Sequence, residues 1–410
     1  MQKKDILEIK KRYKKDQATF SKMCGCYVNG EKNIVTKFRE TFLNLEEAEY
    51  HKYLEIAKKV LSGTVGNNIL ELNFHQEDEA SIEKRDALMQ LKRSRLLRDD
   101  LLDEFYQRII DEYHYVGNFI ILLYHDAYDV ITKTEDNIKI DESEEVYEYV
   151  LCAICPVSLT DPGLSYVENE NRIKARQRDW VVEAPASGFV YPAFIDRSQD
   201  IDALLYYTKN AKDPHPELME DVLGCYAKET SAIQKESFQA MVKGTLDANQ
   251  KESDLIFMEV QDQLQAMVEE HKSLYADMET EPIVMDQHQI REILKDSGVP
   301  EEITKEITES YDAYFGENLP LVESLIDQKV LKEKDLRRNE VRLKKEVKEL
   351  QGELEKARHD EDTETFDVIL KVKEEKVSKI RTEIIEGKKF ILIPMEEDEQ
   401  ALVNGQEDLI

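Results

Sequence analysis

Long uninterrupted apolar runs are absent from this chain of 410 residues. The longest such run, Phe119–Tyr124, has the length of a β-strand, whereas a membrane-spanning helix needs roughly 18 apolar residues or more. The N-terminal stretch MQKKDILEIKKRYKK is charged throughout and lacks the apolar segment of a signal peptide. We therefore expect no membrane span and no secretory leader.

Cysteine is scarce, with five residues in the whole chain. An odd and low number does not fit a disulfide framework, which small secreted proteins build from even sets of cysteines. Together with the expected absence of a leader, this scarcity predicts a cytoplasmic protein.

Positive charge is also in short supply. Aspartate and glutamate number 87 against 56 lysines and arginines, so the net charge is −31. Phosphate contacts need a clustered positive surface, and an acidic balance therefore disfavours general nucleic-acid binding. The acidity favours solubility and suits a basic partner.

The basic residues are concentrated at the N-terminus. Residues 1–43, here called the basic head, contain eleven lysines and arginines and five acids, a net charge of +6, which leaves −37 on the other 367 residues. The head therefore either engages an anionic partner, a protein or RNA, or docks on the acidic body of its own chain. We favour docking, because the neighbouring acids compete for every lysine.

Four lysines of the head are the candidates for partner contacts: Lys10, Lys11, Lys14 and Lys15. They lie on an amphipathic helix that the periodicity predicts over residues 2–16. Aromatic residues are interleaved with the basic ones, as stacking platforms for nucleic acid would be: Tyr13, Phe20, Tyr27 and Phe38.

Periodicity predicts an α+β fold in three regions. Residues 1–215 mix strand-like runs with helices and include a hairpin around Asn29-Gly30, a dipeptide that favours positive φ. Within this region helices are predicted at Leu45–Leu61 and over residues 76–116, and residues 158–179 read as a polar loop. Residues 216–365 read as helical, and residues 366–410 return to short antiparallel strands with Glu386-Gly387 as a hairpin turn.

A short coiled-coil seam lies on a long charged helix predicted at residues 328–358. Five positions follow 4-3-4-3 spacing: Leu343, Val347, Leu350, Leu354 and Ala357. Glu340 interrupts the same register one step earlier. The seam is shorter than three heptads. This length is enough for an antiparallel helical hairpin or for a short homodimer contact through residues 336–357.

The best metal-ligating constellation consists of four cysteines: Cys24, Cys26, Cys152 and Cys155. Four thiolates can hold a zinc ion tetrahedrally. Both pairs lie in strand-like runs, where residues three apart point to opposite faces, so Cys152 and Cys155 share a metal only if the strand bends. The alternative, which we favour, is that these are buried core cysteines.

His125, Asp126 and Asp129 follow the longest apolar strand. A histidine beside carboxylates at a strand end can bind a metal or transfer protons. No other element supplies a matching group at a diagnostic spacing. The alternative is a polar strand end whose carboxylates cap neighbouring backbone groups.

Several segments resemble one bacterial protein family. These are residues 22–30 (KMCGCYVNG), 125–130 (HDAYDV), 141–157 (DESEEVYEYVLCAICPV), 188–200 (GFVYPAFIDRSQD), 384–394 and 403–405. The family has about the length of this chain, occurs mostly in anaerobic Gram-positive bacteria and is known only as a domain of unknown function. The resemblance excludes the helix at residues 331–358. It implies a bacterial cytoplasmic protein and assigns no catalytic or binding residue.

The absence of a recognisable catalytic set predicts a non-enzymatic binding or regulatory protein. It would act through protein or nucleic-acid contacts of the basic head, and no cofactor is predicted. The alternative is a metal-dependent hydrolase that uses His125, Asp126 and Asp129.

Overall fold

The computed structural model describes most of the chain, namely residues 3–14, 20–133, 139–246, 250–274, 282–316, 318–360, 372–396, 401–403 and 406–408. The chain divides after Lys334 into two units, residues 1–334 and residues 335–410. The region boundaries predicted after residues 215 and 365 stay predictions.

Helices and strands are both abundant, which confirms the predicted α+β class. The helices are α1 (Lys3–Arg12), α2 (Glu47–Val60), α3 (Glu79–Arg93), α4 (Asp99–Glu112), α5 (Ser231–Thr245), α6 (Gln250–Leu274), α7 (Gln287–Asp296), α8 (Glu301–Phe315), α9 (Val322–Leu325), α10 (Gln328–Asp360) and α11 (Glu374–Val377). The strands are β1 (Lys22–Val28), β2 (Ile34–Glu40), β3 (Ile69–Asn73), β4 (Asn118–Lys133), β5 (Lys139–Leu159), β6 (Leu164–Val167), β7 (Arg172–Ala175), β8 (Trp180–Val182), β9 (Ser187–Tyr191), β10 (Ala193–Ile195), β11 (Ser198–Asp200), β12 (Ala203–Thr208), β13 (Arg381–Ile385), β14 (Lys388–Leu392), β15 (Ala401–Val403) and β16 (Gln406–Asp408).

One antiparallel sheet organises the first unit, in the order β2-β1-β4-β5-β9-β12-β3, with β8 paired to the end of β5. The central strands are apolar on both faces because helices cover both. Odd-numbered residues of the β4 run, such as Ile121, pack against α3 and α4. Even-numbered ones, such as Leu122, pack against α1 and α2. Every side chain on a central strand therefore belongs to either the α3/α4 face or the α1/α2 face.

The predicted hairpin around Asn29-Gly30 is present as β1 and β2, with a turn built differently from expectation. The Asn29 side chain accepts hydrogen bonds from the backbone N–H groups of Glu31 and Asn33, at 3.1 and 2.9 Å. The residue with positive φ is Lys32, at 62°, and not Gly30. An asparagine side chain can organise a turn through its own backbone neighbours, so the turn signal was right although its geometry was not.

Gly188 in β9 lets α2 lie close to the sheet. A Cβ at this position would be 2.5 Å from the backbone oxygen of Cys152 and 3.1 Å from a methyl group of Val60, the last residue of α2. Only the absence of a side chain allows this approach. The close contact fixes the end of α2, which carries Lys58 and Lys59, against the sheet.

A second core is formed by helices α5–α9, around buried residues such as Phe257 and Tyr311. The second unit contains most of α10, followed by α11 and two hairpins, β13–β14 and β15–β16. The β13–β14 turn is Glu386-Gly387, as predicted. Of the helices in the described ranges, none has both the length and the apolarity that crossing a bilayer requires.

Candidate functional site

The four candidate zinc ligands lie on two faces of the sheet. Cys24, Cys26 and Cys152 belong to the α3/α4 face, and Cys155 belongs to the α1/α2 face. Leu123 lies between Cys24 and Cys152 in the strand register, so these two residues are two strand spacings apart, about 10 Å. Within the described ranges no three His, Cys, Asp or Glu side chains are grouped to hold a metal ion. The cysteines are buried core residues, the alternative that the sequence favoured.

The three residues predicted as a His/Asp metal site do not converge. His125 lies on the α3/α4 side of β4, and Asp126 lies on the opposite side, because successive side chains of a strand alternate. Asp129 is exposed further along the strand. The metal-dependent hydrolase built on this trio therefore lacks its geometry, and His125 and Asp126 have separate surroundings.

His125 joins an exposed serine to a glutamate. Its Nδ1 is 2.9 Å from Ser21 Oγ, and its Nε2 is 3.0 Å from Glu148 Oε1. A carboxylate can only accept, so Nε2 carries the ring proton and Nδ1 accepts from the Ser21 hydroxyl. Burial lowers the pKa of His125, against an opposing effect of Glu148. A neutral imidazole thus accepts a hydrogen bond from a hydroxyl group that faces solvent.

The turn between α3 and α4 supplies the remaining side chains around His125 and Glu148. Arg95 and Leu96 have φ values of 51° and 60°, in the left-handed region that non-glycine residues rarely adopt. Arg95 Nε is 3.3 Å from Glu148 Oε1. Lys92 is only 6% exposed, and its ammonium group has no hydrogen-bond or ion-pair partner among the described residues. Its burial lowers the pKa of the Lys92 ammonium group, while Glu148 acts in the opposite direction.

We call Ser21, Lys92, Arg95, His125 and Glu148 the polar cluster. Its members come from the residue just before β1, the end of α3, the turn after α3, β4 and β5. The sequence predicted one helical stretch over residues 76–116, and the break at Arg95-Leu96 was missed because it contains neither glycine nor proline. Only His125 of this cluster was recognised in advance.

Asp126 holds the N-terminal helix from the other face of β4. The Tyr149 hydroxyl donates to Asp126 Oδ2 at 2.7 Å and lies 2.9 Å from the Tyr13 hydroxyl. Arg12 Nη2 is 3.8 Å from the same carboxylate oxygen. Both ion-pair partners are largely buried, with side chains 15% and 2% exposed.

The rest of α1 confirms that the basic head docks on its own body. Ile6 and Ile9 are buried against the α1/α2 face. Glu8 Oε1 accepts a hydrogen bond from the Tyr128 hydroxyl at 2.7 Å and lies 3.0 Å from Arg197 Nη1. The contacts that fix the helix are therefore apolar side chains, an arginine and a glutamate, and they leave most of its lysines on the outside.

Lysines of the docked helix meet lysines of α2. Lys10 Nζ donates to Ser62 Oγ at 2.7 Å, and its pKa is lowered by partial burial and by the nearby ammonium groups of Lys58 and Lys59. We call Lys10, Lys58 and Lys59 the lysine cluster. None of its members pairs with a carboxylate of the described residues.

The other candidate lysines extend this positive surface. Lys11 and Lys14 are exposed, and they too have no carboxylate partner in the part of the chain that the structure covers. Lys15 lies outside the described residues. The sequence could nominate the lysines of α1, but Lys58 and Lys59 join them only through the packing of α1 beside the end of α2.

The aromatic residues of the head are not stacking platforms. Tyr13 and Phe20 are buried with ring centroids 4.9 Å apart, and the Phe38 ring covers Gly25. The Tyr27 hydroxyl accepts a hydrogen bond from the Asn118 side chain at 2.9 Å. These rings serve the fold, and that prediction was wrong.

Comparison with known proteins places the chain without naming an activity. No curated protein matches it. The family described as Domain of unknown function (DUF4317) matches residues 1–406, nearly the whole chain, and the resemblance seen in the sequence pointed to such a family. The protein is therefore a member of the DUF4317 family.

Proposed function

We propose that this protein is a cytoplasmic, non-enzymatic binding protein whose lysine cluster engages phosphate groups of an anionic partner such as RNA. The observation that carries the proposal is the arrangement of Lys10, Lys58 and Lys59: Lys10 bonds to Ser62 at the end of α2, and none of the three lysines pairs with a described carboxylate. Partial burial and the two neighbouring ammonium groups both lower the pKa of Lys10. The five free, buried cysteines suit a reducing compartment.

The physical basis is local charge imbalance. Like charges held together destabilise a folded protein, and an anion that supplies counter-charge binds favourably at that place. The chain as a whole carries a net charge of −31, so the positive charge of the lysine cluster is opposite in sign to that of the molecule. Because the aromatic rings are engaged in the core, recognition through lysine–phosphate contacts is a better fit than base stacking.

The test is removal of the three charges. Lys10, Lys58 and Lys59 are changed together to glutamine, and binding of a short fluorescent single-stranded RNA is followed by anisotropy over a range of salt concentrations. Each phosphate contact contributes a slope of about 0.7 in a plot of log K against log salt concentration, so three lost contacts lower the slope by about 2.

The matched control removes three charges elsewhere. Each control lysine pairs with a glutamate in the fold: Lys272, Lys295 and Lys305. Their triple glutamine variant has the same net charge as the test variant and should keep the wild-type slope. Equal binding by the two variants would mean that the lysine cluster is not the contact surface.

A second candidate function follows from the polar cluster. The exposed Ser21 hydroxyl, hydrogen-bonded to a neutral His125 that Glu148 orients, has the arrangement of a nucleophile and its general base. In an attack on an ester or phosphonate, Ser21 Oγ forms the new bond, its proton passes to His125 Nδ1, and the leaving group departs with the electrons of the broken bond. The Nε2–H bond to Glu148 stabilises the imidazolium that results.

A fluorophosphonate probe distinguishes a reactive serine from a structural one. We expect covalent labelling of Ser21 with loss of fluoride, no labelling of Ser21→Ala, and strongly reduced labelling of His125→Gln. Ser273→Ala, which removes an exposed serine elsewhere, is the control. Mass spectrometry locates the adduct, and circular dichroism verifies the fold of each variant. If the wild-type protein is not labelled, the Ser21–His125 hydrogen bond has a structural role and Ser21 is not a nucleophile.

A further inference from the structure

Helix α10 exposes an apolar stripe within the second unit. Leu343, Val347 and Leu350 have 53%, 52% and 59% of their surfaces exposed. Their 3.5-residue average spacing assigns Leu343 and Leu350 to d positions and Val347 to an a position of a heptad repeat. Leu336 occupies the preceding d position and is 70% exposed. Apolar residues in this pattern are buried when a second helix packs along them.

The residue types at the a and d positions indicate how many helices the coiled coil contains. A β-branched residue at a combined with leucine at d favours a two-stranded, parallel coiled coil over larger bundles. Val347 and the two flanking leucines follow this rule. The next a position carries a leucine, Leu354, so the apolar pattern continues towards the end of the helix, although this position is not β-branched.

The flanking charges select the direction. In the same register the e positions are Lys344 and Gln351, and the g positions are Glu346 and Glu353. A parallel partner places each g position opposite the e position of the following heptad, so Glu346 meets the partner's Gln351. An antiparallel partner places g opposite g, which brings glutamates of the two helices together. Like charges at such positions are repulsive.

Glu340 interrupts the stripe between Leu336 and Leu343. It occupies the a position before Leu343 and pairs with Lys344 of its own helix, at 2.5 Å between Oε1 and Nζ. A charged residue at an a position weakens a coiled coil and helps to specify its register. The apolar seam is therefore short, and association through it is expected to depend on protein concentration.

We propose that residues 336–357 bind a second copy of this chain as a parallel, in-register, two-stranded coiled coil. The proposal does not depend on the proposed function, because the lysine cluster lies in the first unit. It predicts a dimer that contains two copies of the first unit.

The test is disulfide trapping at single introduced cysteines. Leu343→Cys and Leu350→Cys are oxidised separately, and dimers are counted on a non-reducing gel. In a parallel, in-register pair each d position faces itself, so both variants cross-link. Lys345→Cys, on the outer f position, is the matched control and should not. The native cysteines are all buried and do not compete.

Association without cross-linking is measured by sedimentation. The wild-type chain should shift from monomer to dimer as concentration rises, and Val347→Glu should abolish the shift without unfolding the first unit. Glu340→Val should increase the dimer fraction at any given concentration by lengthening the seam. A chain that stays monomeric throughout, or d-position cysteines that do not cross-link to themselves, would overturn the proposal.

Discussion

Replacing Gly188 by alanine should destabilise the first unit by about 3 kcal/mol or more, at the upper end of overpacking costs. The added Cβ would be 2.5 Å from a backbone oxygen on β5 and 3.1 Å from Val60 on α2. A backbone oxygen in a paired strand cannot turn away, so either the β5–β9 pairing opens or the strand shifts. Urea unfolding followed by circular dichroism measures the loss.

Gly163→Ala is the control for this prediction. Its Cβ would meet no heavy atom within 4 Å, so only the small effects of a surface substitution are expected. Equal stability of the Gly188→Ala variant and the wild type would show that β9 and α2 have room to separate. Such room would also free the end of α2 that carries two members of the lysine cluster.

Replacing Arg12 by methionine should cost about 3 kcal/mol and release α1 from the sheet, because it leaves a buried carboxylate without its cation. Asp126 would lose this cation and keep the hydrogen bonds from the Tyr149 hydroxyl and the Ala127 backbone N–H. The loss of Arg12 also removes its guanidinium from above the Tyr128 ring, where the distance to the ring centroid is 4.0 Å. Hydrogen exchange of the α1 amides, Lys3–Arg12, should accelerate relative to those of β4.

A double variant distinguishes two causes of the destabilisation: the unpaired Asp126 carboxylate and the lost packing of the Arg12 side chain. If the cost comes from the uncompensated carboxylate, Arg12→Met combined with Asp126→Asn should be more stable than Arg12→Met alone. Additive losses in the double variant would instead assign the cost to the packing of the Arg12 stem. Whichever cause applies, detachment of α1 in Arg12→Met removes Lys10 from the lysine cluster. Weaker RNA binding by this variant is therefore a second measure of the detachment.

Much of the fold was available from local patterns. Alternation within Val146–Val157 predicted that Cys152 and Cys155 would point to opposite faces, and they do. The N-terminal helix, the first hairpin and the α2 helix were also predicted, because each depends on neighbours within a few residues. Residues 158–179 were expected to be a loop, yet they contain the β6–β7 hairpin, whose short strands lack strong alternation.

The candidate sites depended on information that local patterns do not contain. Ser21 and Glu148 reach His125 because β1 and β5 both pair with β4 in particular registers. Strand order and register are set by tertiary packing and not by propensity. The same limit explains the error over the aromatic rings, since a core aromatic and a stacking platform look alike in sequence.

Because all five cysteines are buried, the rate at which they are alkylated measures local unfolding of the chain. Burial raises the pKa of each thiol, to about 11 for Cys26 and about 12 for Cys155, so almost no thiolate is present near neutral pH. An alkylating reagent therefore finds reactive sulfur only when strands separate. Because Cys24, Cys155 and Cys225 lie in different parts of the first unit, their separate modification rates report which part opens first.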